Sequence, residues 1–97
     1  MEIDKNFIQI FVNEYISPTD TVLVISESFI QELKQMLNFI NCEYFIINEV
    51  MLPGIDITFD KILPFMDNTF DCIICLKNVN NSELDRVSVI NFKLFKN

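Results

Sequence analysis

The chain of 97 residues has no histidine, no tryptophan and a single glycine. Without histidine, the commonest general base and the commonest activator of a serine or cysteine nucleophile are both missing. One glycine, Gly54, cannot furnish a glycine-rich phosphate loop, and with three prolines it is too little for an all-β protein of many tight turns. Cations are also scarce. Lys5, Lys34, Lys61, Lys77, Arg86, Lys93 and Lys96 stand against 14 acids, for a net charge of −7. They are scattered and form no basic stripe for phosphate neutralisation, so direct nucleic-acid binding is disfavoured. An acidic surface admits a basic protein partner, but is more often a solubility device. No apolar run approaches the roughly 18 residues of a membrane span. The start, MEIDKNF, lacks the basic n-region and apolar core of a signal peptide. These features predict a soluble, cytoplasmic protein in a reducing compartment, with no membrane association.

The three cysteines, Cys42, Cys72 and Cys75, agree with a reducing compartment, because an odd number cannot all pair within the chain. Cys72-Ile-Ile-Cys75 has the spacing of a redox or zinc pair. It lies in an apolar run that reads as a strand, where positions three apart point to opposite faces. A redox pair sits at a helix N-terminus instead, and three cysteines without histidine fall short of a tetrahedral zinc set. Buried structural thiols are predicted, and no metal site.

What is present is apolar residue in quantity. Hydrophobic residues make up 51% of the chain, which argues against disorder, and ten phenylalanines point to a Phe/Ile/Leu/Val core. Ile8, Phe11, Val12 and Tyr15 recur at helical spacing and predict a helix over 3–16, ended by Ser17-Pro18. TVLVIS (Thr21–Ser26) suits a strand buried on both faces. Ser28 and Gln31 have capping-box spacing, and Ile30, Leu33, Leu37 and Ile40 lay one apolar stripe on a helix over 28–40. Glu43–Val50 holds a second buried strand, and Met51–Gly54 a turn. Residues 55–65 fit either a short strand, from IDITF, or a helical turn, from DKIL.

After an Asp67-Asn68 turn, Phe70–Leu76 reads as the third clear strand, and Lys77–Asn81 as a polar loop. Ser82–Asp85 reads as a helix start with acids in its first turn. The tail VSVINFKLF fits a helix through Leu84, Val87, Leu94 and Phe95, and a strand through Ile90, Phe92 and Leu94; helix is the expectation adopted. Strands alternating with helices imply a three-layer α/β, Rossmann-like domain over 1–97 with a short, mostly parallel sheet. Its expected core is Phe11, Leu23, Ile25, Leu33, Leu37, Phe45, Ile47, Phe70, Ile73 and Ile74. Ligands of such sheets bind beyond the carboxyl ends of the strands, here Ser26–Ser28, Asn48–Glu49 and Lys77–Asn81.

“LPFMDNTFDCIIC”, Leu63 to Cys75, resembles the segment leading into the fourth strand of class I S-adenosylmethionine-dependent methyltransferases. TVLVIS stands where that family has its first strand and YFIINEV where it has its second. Leu84–Asn97 is placed like the helix before its next strand. The resemblance covers roughly residues 20–97, and only 63–75 is distinctive. The family's cofactor loop follows the first strand and is rich in glycine; this chain has Ile25-Ser-Glu-Ser-Phe29 there, and Glu27 sets a negative charge near the cofactor carboxylate's place. Glu49 matches the acid that ends the family's second strand and holds the ribose. Asp60 matches the acid preceding LPF, one residue out of step. The chain ends where the family continues with further strands and much of its substrate-binding region. The resemblance therefore implies a shortened, degenerate methyltransferase-like domain without cofactor. It is similar in this to the N-terminal, protein-binding domain of anamorsin-type cytosolic iron–sulfur assembly factors.

Other side chains admit sharper readings that the sequence does not favour. Ser26 and Ser28 sit at a strand-to-helix turn as a nucleophile would, but nothing activates them, and helix capping is expected. Asp67 and Asp71 flank a turn, where local backbone hydrogen bonds are the expected role rather than a carboxylate pair. Lys77–Asn81 reads as a solvated loop. No catalytic residue is predicted and the balance is against catalysis. The expected function is a non-catalytic interaction module or supporting subunit; the alternatives are a remnant binder of S-adenosylmethionine or another small molecule, and, as the resemblance implies, the protein-binding domain of a cytosolic iron–sulfur cluster assembly factor. In the family's strand order the first strand lies between the second and fourth, which puts Phe70–Leu76 at an edge. That edge is expected to take a protein partner or a second copy through Phe70, Cys72, Ile74 and Leu76, unless VSVINFKLF folds back to cover it.

Overall fold

The computed structural model describes residues 4–96. The elements are α1 (Lys5–Tyr15), β1 (Thr21–Ile25), α2 (Ile30–Ile40), β2 (Glu43–Asn48), β3 (Ile57–Thr58), β4 (Phe70–Cys75), α3 (Asn81–Val87) and β5 (Ser88–Lys96). The sheet is entirely parallel, in the order β3-β2-β1-β4-β5. This is the expected Rossmann-like α/β architecture. Ile3, the first residue of the expected opening helix, lies outside the described residues.

Each element follows from local chemistry. The Asp4 carboxylate accepts the Phe7 N–H at 2.9 Å and caps α1. The helix stops before Pro18, and Ser17–Asp20 closes a turn in which the Asp20 carboxylate accepts the Ser17 N–H at 3.0 Å. β1 occupies the middle of the sheet, so Val22, Leu23, Val24 and Ile25 are all fully buried. Val22 and Val24 face α1 and α2, through Ile8, Val12, Leu33 and Leu37. Leu23 and Ile25 face the other side, against Leu63, Phe70, Leu84 and Val87. The core is thus two apolar layers separated by the sheet, as alternation along a strand covered on both faces requires. Of the ten expected core residues eight are buried, while Phe11 and Phe45 are partly buried and pack against the two clusters.

The ambiguous stretch resolves as the two-residue strand β3, tied to β2 by a reciprocal pair: the Asp56 N–H donates to Ile46 O, and the Ile46 N–H to the Asp56 carboxylate, both at 2.8 Å. The lone glycine serves this connection. Gly54 has φ +93°, and a Cβ there would meet Ile30 Cγ2 at 2.6 Å.

Three expectations are corrected. The capping box at Ser28 does not form. Phe29, in the left-handed region at φ 56°, precedes α2 without a side-chain cap, and Ser28 is engaged through its backbone alone. The buried Ser26 hydroxyl donates to Ser28 O at 2.6 Å and accepts the Ser28 N–H at 2.9 Å, which satisfies it locally and turns the chain before the helix.

The tail is a strand and not a helix. Asn80 caps α3 by accepting the Ser82 N–H, and the helix ends at Ser88, whose φ of −97° and ψ of 150° lead straight into β5. Asn91, at φ 66°, lies within a register irregularity between β4 and β5.

Consequently Phe70–Leu76 is not an edge. β4 lies between β1 and β5, with Ile74 opposite Val24 on one side and Phe95 on the other. Pairing satisfies the backbone groups that the helix reading would have left open.

Candidate functional site

The carboxyl ends of β1, β2 and β4 meet at one edge of the sheet, and a lysine spans them. Lys77 lies two residues beyond the end of β4. Its ammonium donates to Asn48 Oδ1 at 2.7 Å and lies 3.0 Å from Glu49 Oε1 and 3.7 Å from Glu27 Oε2. Glu27 lies just beyond β1, Asn48 ends β2 and Glu49 follows it, so the side chain reaches from β4 to β2 over the end of β1. Two strand spacings of about 4.8 Å each separate β4 from β2, a gap only a long side chain closes. The Lys77 side chain is 18% exposed, against 63% for Glu27 and 53% for Glu49. Asn48 is fully buried, and its amide also donates to Val50 O at 3.0 Å. The backbone holds this end together: the Leu76 N–H donates to Ile25 O at 2.8 Å and the Ser26 N–H to Ile47 O at 3.2 Å.

Beside the bridge lies a shallow cavity of about 410 Å³, lined by Glu49, Phe59, Asp60, Lys61, Asn78, Val79 and Asn80. The two carboxylates singled out in the sequence, Glu49 and Asp60, therefore share one cavity. Glu49 also answers the Lys77 charge.

The remaining candidates lie elsewhere. Asp71 accepts the Thr21 N–H at 2.9 Å and holds the start of β1. Asp67 pairs with Arg86 at 2.9 Å. That arginine clamps the LPF segment: it donates to Leu63 O and Phe65 O, both at 2.8 Å, while Glu83 accepts the Leu63 N–H at 2.9 Å. Hydrogen bonding from Arg86, then from the Leu63 N–H, holds the Glu83 carboxyl below its ordinary value, and Glu83 with Asp67 raises the guanidinium. The distinctive motif is thus a strap tied to α3.

The thiols are interior. Cys72 faces the α1/α2 layer and Cys75 the α3 layer, the opposite orientation that strand alternation predicts. Burial raises all three thiols, Cys72 to about 12. Among the described residues no group of three or more acids and thiols is arranged to hold a metal ion. Phe70, Cys72 and Ile74, expected on an interaction surface, are fully buried, and Leu76 is half-buried. β5 covers the side of β4 that was to receive a partner. Among the described residues, no helix is long and apolar enough to cross a membrane.

The sequence places Lys77 at a strand's carboxyl end but reads it as part of a solvated loop, whereas its side chain is mostly buried, and it does not single out Arg86. For Lys77 a signal existed: a cation within two residues of the end of one buried strand, with Glu27 and Glu49 within two residues of the ends of the two others. Arg86 had none, because its partners lie up to 23 residues away in an irregular segment. Comparison with protein-family models, with curated proteins and with solved structures finds no match to this chain.

Proposed function

We propose that this chain is a non-catalytic, methyltransferase-like interaction module, a scaffold whose ligand crevice is closed from within. One observation carries the reading. In open parallel sheets small molecules bind beyond the carboxyl ends of the strands, where the chain order reverses. That point lies between β1 and β4, and the Lys77 side chain crosses the strand ends from β4 to pair with Asn48 and Glu49 at β2. A cofactor entering there would have to displace a lysine already paired with Asn48 and Glu49 and leave the buried Asn48 carbonyl unpaired. The loop after β1 supports the same reading, since Ser26–Phe29 contains no glycine and places Glu27 at the crevice mouth. Isothermal titration with S-adenosylmethionine tests it. No heat of binding is expected at micromolar to millimolar cofactor, and saturable binding in that range overturns the reading.

A second reading rests on the shared cavity. Glu49 and Asp60, with Phe59 beside them, offer two carboxylates and an aromatic ring to a small hydroxylated or cationic ligand. Removal of the lysine separates the readings. If the crevice is a ligand site held shut, Lys77→Ala gains affinity for S-adenosylmethionine; under the interaction reading the variant binds no better than the parent.

A further inference from the structure

The sheet has two edges, the two-residue β3 and the nine-residue β5, and β5 is the one long enough to take another strand. Among the described residues no strand pairs with its outer side, so its outward N–H and C=O groups are free to pair with another chain. An apolar groove of about 600 Å³ runs along that edge between β5 and α1. Its wall is aromatic: the Phe95 ring lies 4.8 Å from Phe11 and 5.6 Å from Phe7. Phe7 is 41% exposed and Ile10 63%, so apolar surface lies open beside open backbone. Among the described residues, the charged ones lining the groove are Lys93 and Lys96, with no acid, in a chain whose net charge is −7.

The order along the edge is cation, apolar, apolar, cation: Lys93-Leu94-Phe95-Lys96. Lys93 and Phe95 stand opposite Cys72 and Ile74, and so face the α1 layer; Leu94 and Lys96 stand opposite Ile73 and Cys75, and face the α3 layer. Side chains directly opposite on neighbouring strands share a face, and opposite charges there attract. The complement is therefore acid, apolar, apolar, acid, a pattern that reads the same in both chain directions. Lys93 pairs with Asp20 at 2.9 Å yet keeps 40% of its side chain exposed, and Lys96 donates to Asn81.

We propose that the β5 edge binds an extended segment of a partner protein by strand addition, the segment carrying two acids separated by two apolar residues. The acids lie opposite Lys93 and Lys96, and the apolar residue opposite Phe95 enters the α1 groove. A second copy of the chain fits less well, because antiparallel pairing of the same four residues sets lysine against lysine. The inference rests on the interaction-module reading and names its partner's chemistry.

The test uses a disulfide-closed hairpin peptide that presents Glu-Val-Ile-Glu on its free strand, labelled with fluorescein and titrated with the full chain. A Lys-Val-Ile-Lys hairpin is the control. Saturable polarisation is expected for the acidic hairpin, about tenfold or more tighter than for the basic one. Lys96→Glu should abolish that preference, because either hairpin then meets one attraction and one repulsion. Ile10→Asp, on the exposed groove wall, should weaken the acidic hairpin without moving the thermal midpoint. Failure of the acidic hairpin to saturate, equal affinity for both hairpins, or dimerisation of the free chain in light scattering would each overturn the proposal. Titrating the same sample with S-adenosylmethionine keeps the two readings apart. Cofactor binding overturns the non-catalytic reading, whereas hairpin failure alone overturns only the docking edge.

Discussion

The ammonium of Lys77 and the side-chain carbonyl of Asn48 meet at 2.7 Å across the carboxyl end of β1, joining β4 to β2. Asn48 is fully buried, so its carbonyl depends on that lysine in place of water. Lys77→Met keeps much of the aliphatic stem and removes the donor. The expected loss is about 1–3 kcal/mol, the cost of a buried acceptor left unpaired. Urea denaturation measures it, and a midpoint equal to the parent's would show that the bridge contributes nothing.

Asp20 and Lys93 tie the entry of β1 to β5 over a separation of 73 residues. Burial acts to raise the Asp20 pKa, but the Ser17 N–H and then the Lys93 ammonium outweigh it and hold the carboxyl below its ordinary value. A depressed native pKa stabilises the fold at pH values above the unfolded aspartate pKa, and that contribution is lost as pH falls through the lower native one. In Lys93→Ala the Asp20 carboxyl should therefore titrate at higher pH by NMR, and acid unfolding should begin at higher pH. An unchanged Asp20 titration would remove Lys93 as a cause.

The thiols should be inert in the native state. The thiolate is the reactive form, and burial pushes Cys72 up to about 12 and raises Cys42 and Cys75. Alkylation with iodoacetamide at neutral pH should be slower than in the unfolded chain by about 100-fold or more, since the thiolate fraction falls tenfold per pKa unit and access is closed. Cys42, at 9% exposure, should react before Cys72 and Cys75, both fully buried. Mass mapping of the modified sites decides the order, and early modification of Cys72 would contradict the packing of β4.

Gly54→Ala should be costly. The positive φ strains any side chain, and the added methyl would lie 2.6 Å from Ile30 Cγ2. Strain and overpacking together are expected to cost about 2–4 kcal/mol. A thermal midpoint within a degree or two of the parent would mean that the turn relaxes freely.

The central architecture was legible in the sequence because its signals are local. TVLVI, EYFIIN and FDCIIC are apolar, largely β-branched or aromatic runs, and each forms the buried strand expected. The opposite facing of Cys72 and Cys75 follows from strand alternation alone. Glu49 and Asp60 were legible as candidates, although their sharing of one cavity was not. With VSVINFKLF as a helix, β4 would have no neighbour on the side away from β1, and as a strand the segment supplies one.

Composition and periodicity determined that this is an α/β domain with a parallel centre and apolar layers on both faces. Tertiary structure decided what lies at its margins. Ser88–Lys96 satisfies both helical and extended periodicity, and the unpaired backbone of β4 settles the choice by offering a ladder that a helix would forgo. Ser28 has the spacing of a capping box, but the buried Ser26 hydroxyl takes its backbone into a turn first. Lys77 looks solvated in a polar run, and becomes a bridge only because folding brings the ends of β1, β2 and β4 to one edge. In each case the deciding partner is distant in sequence, or is a buried polar group whose need for a hydrogen bond arises only after the core has closed around it.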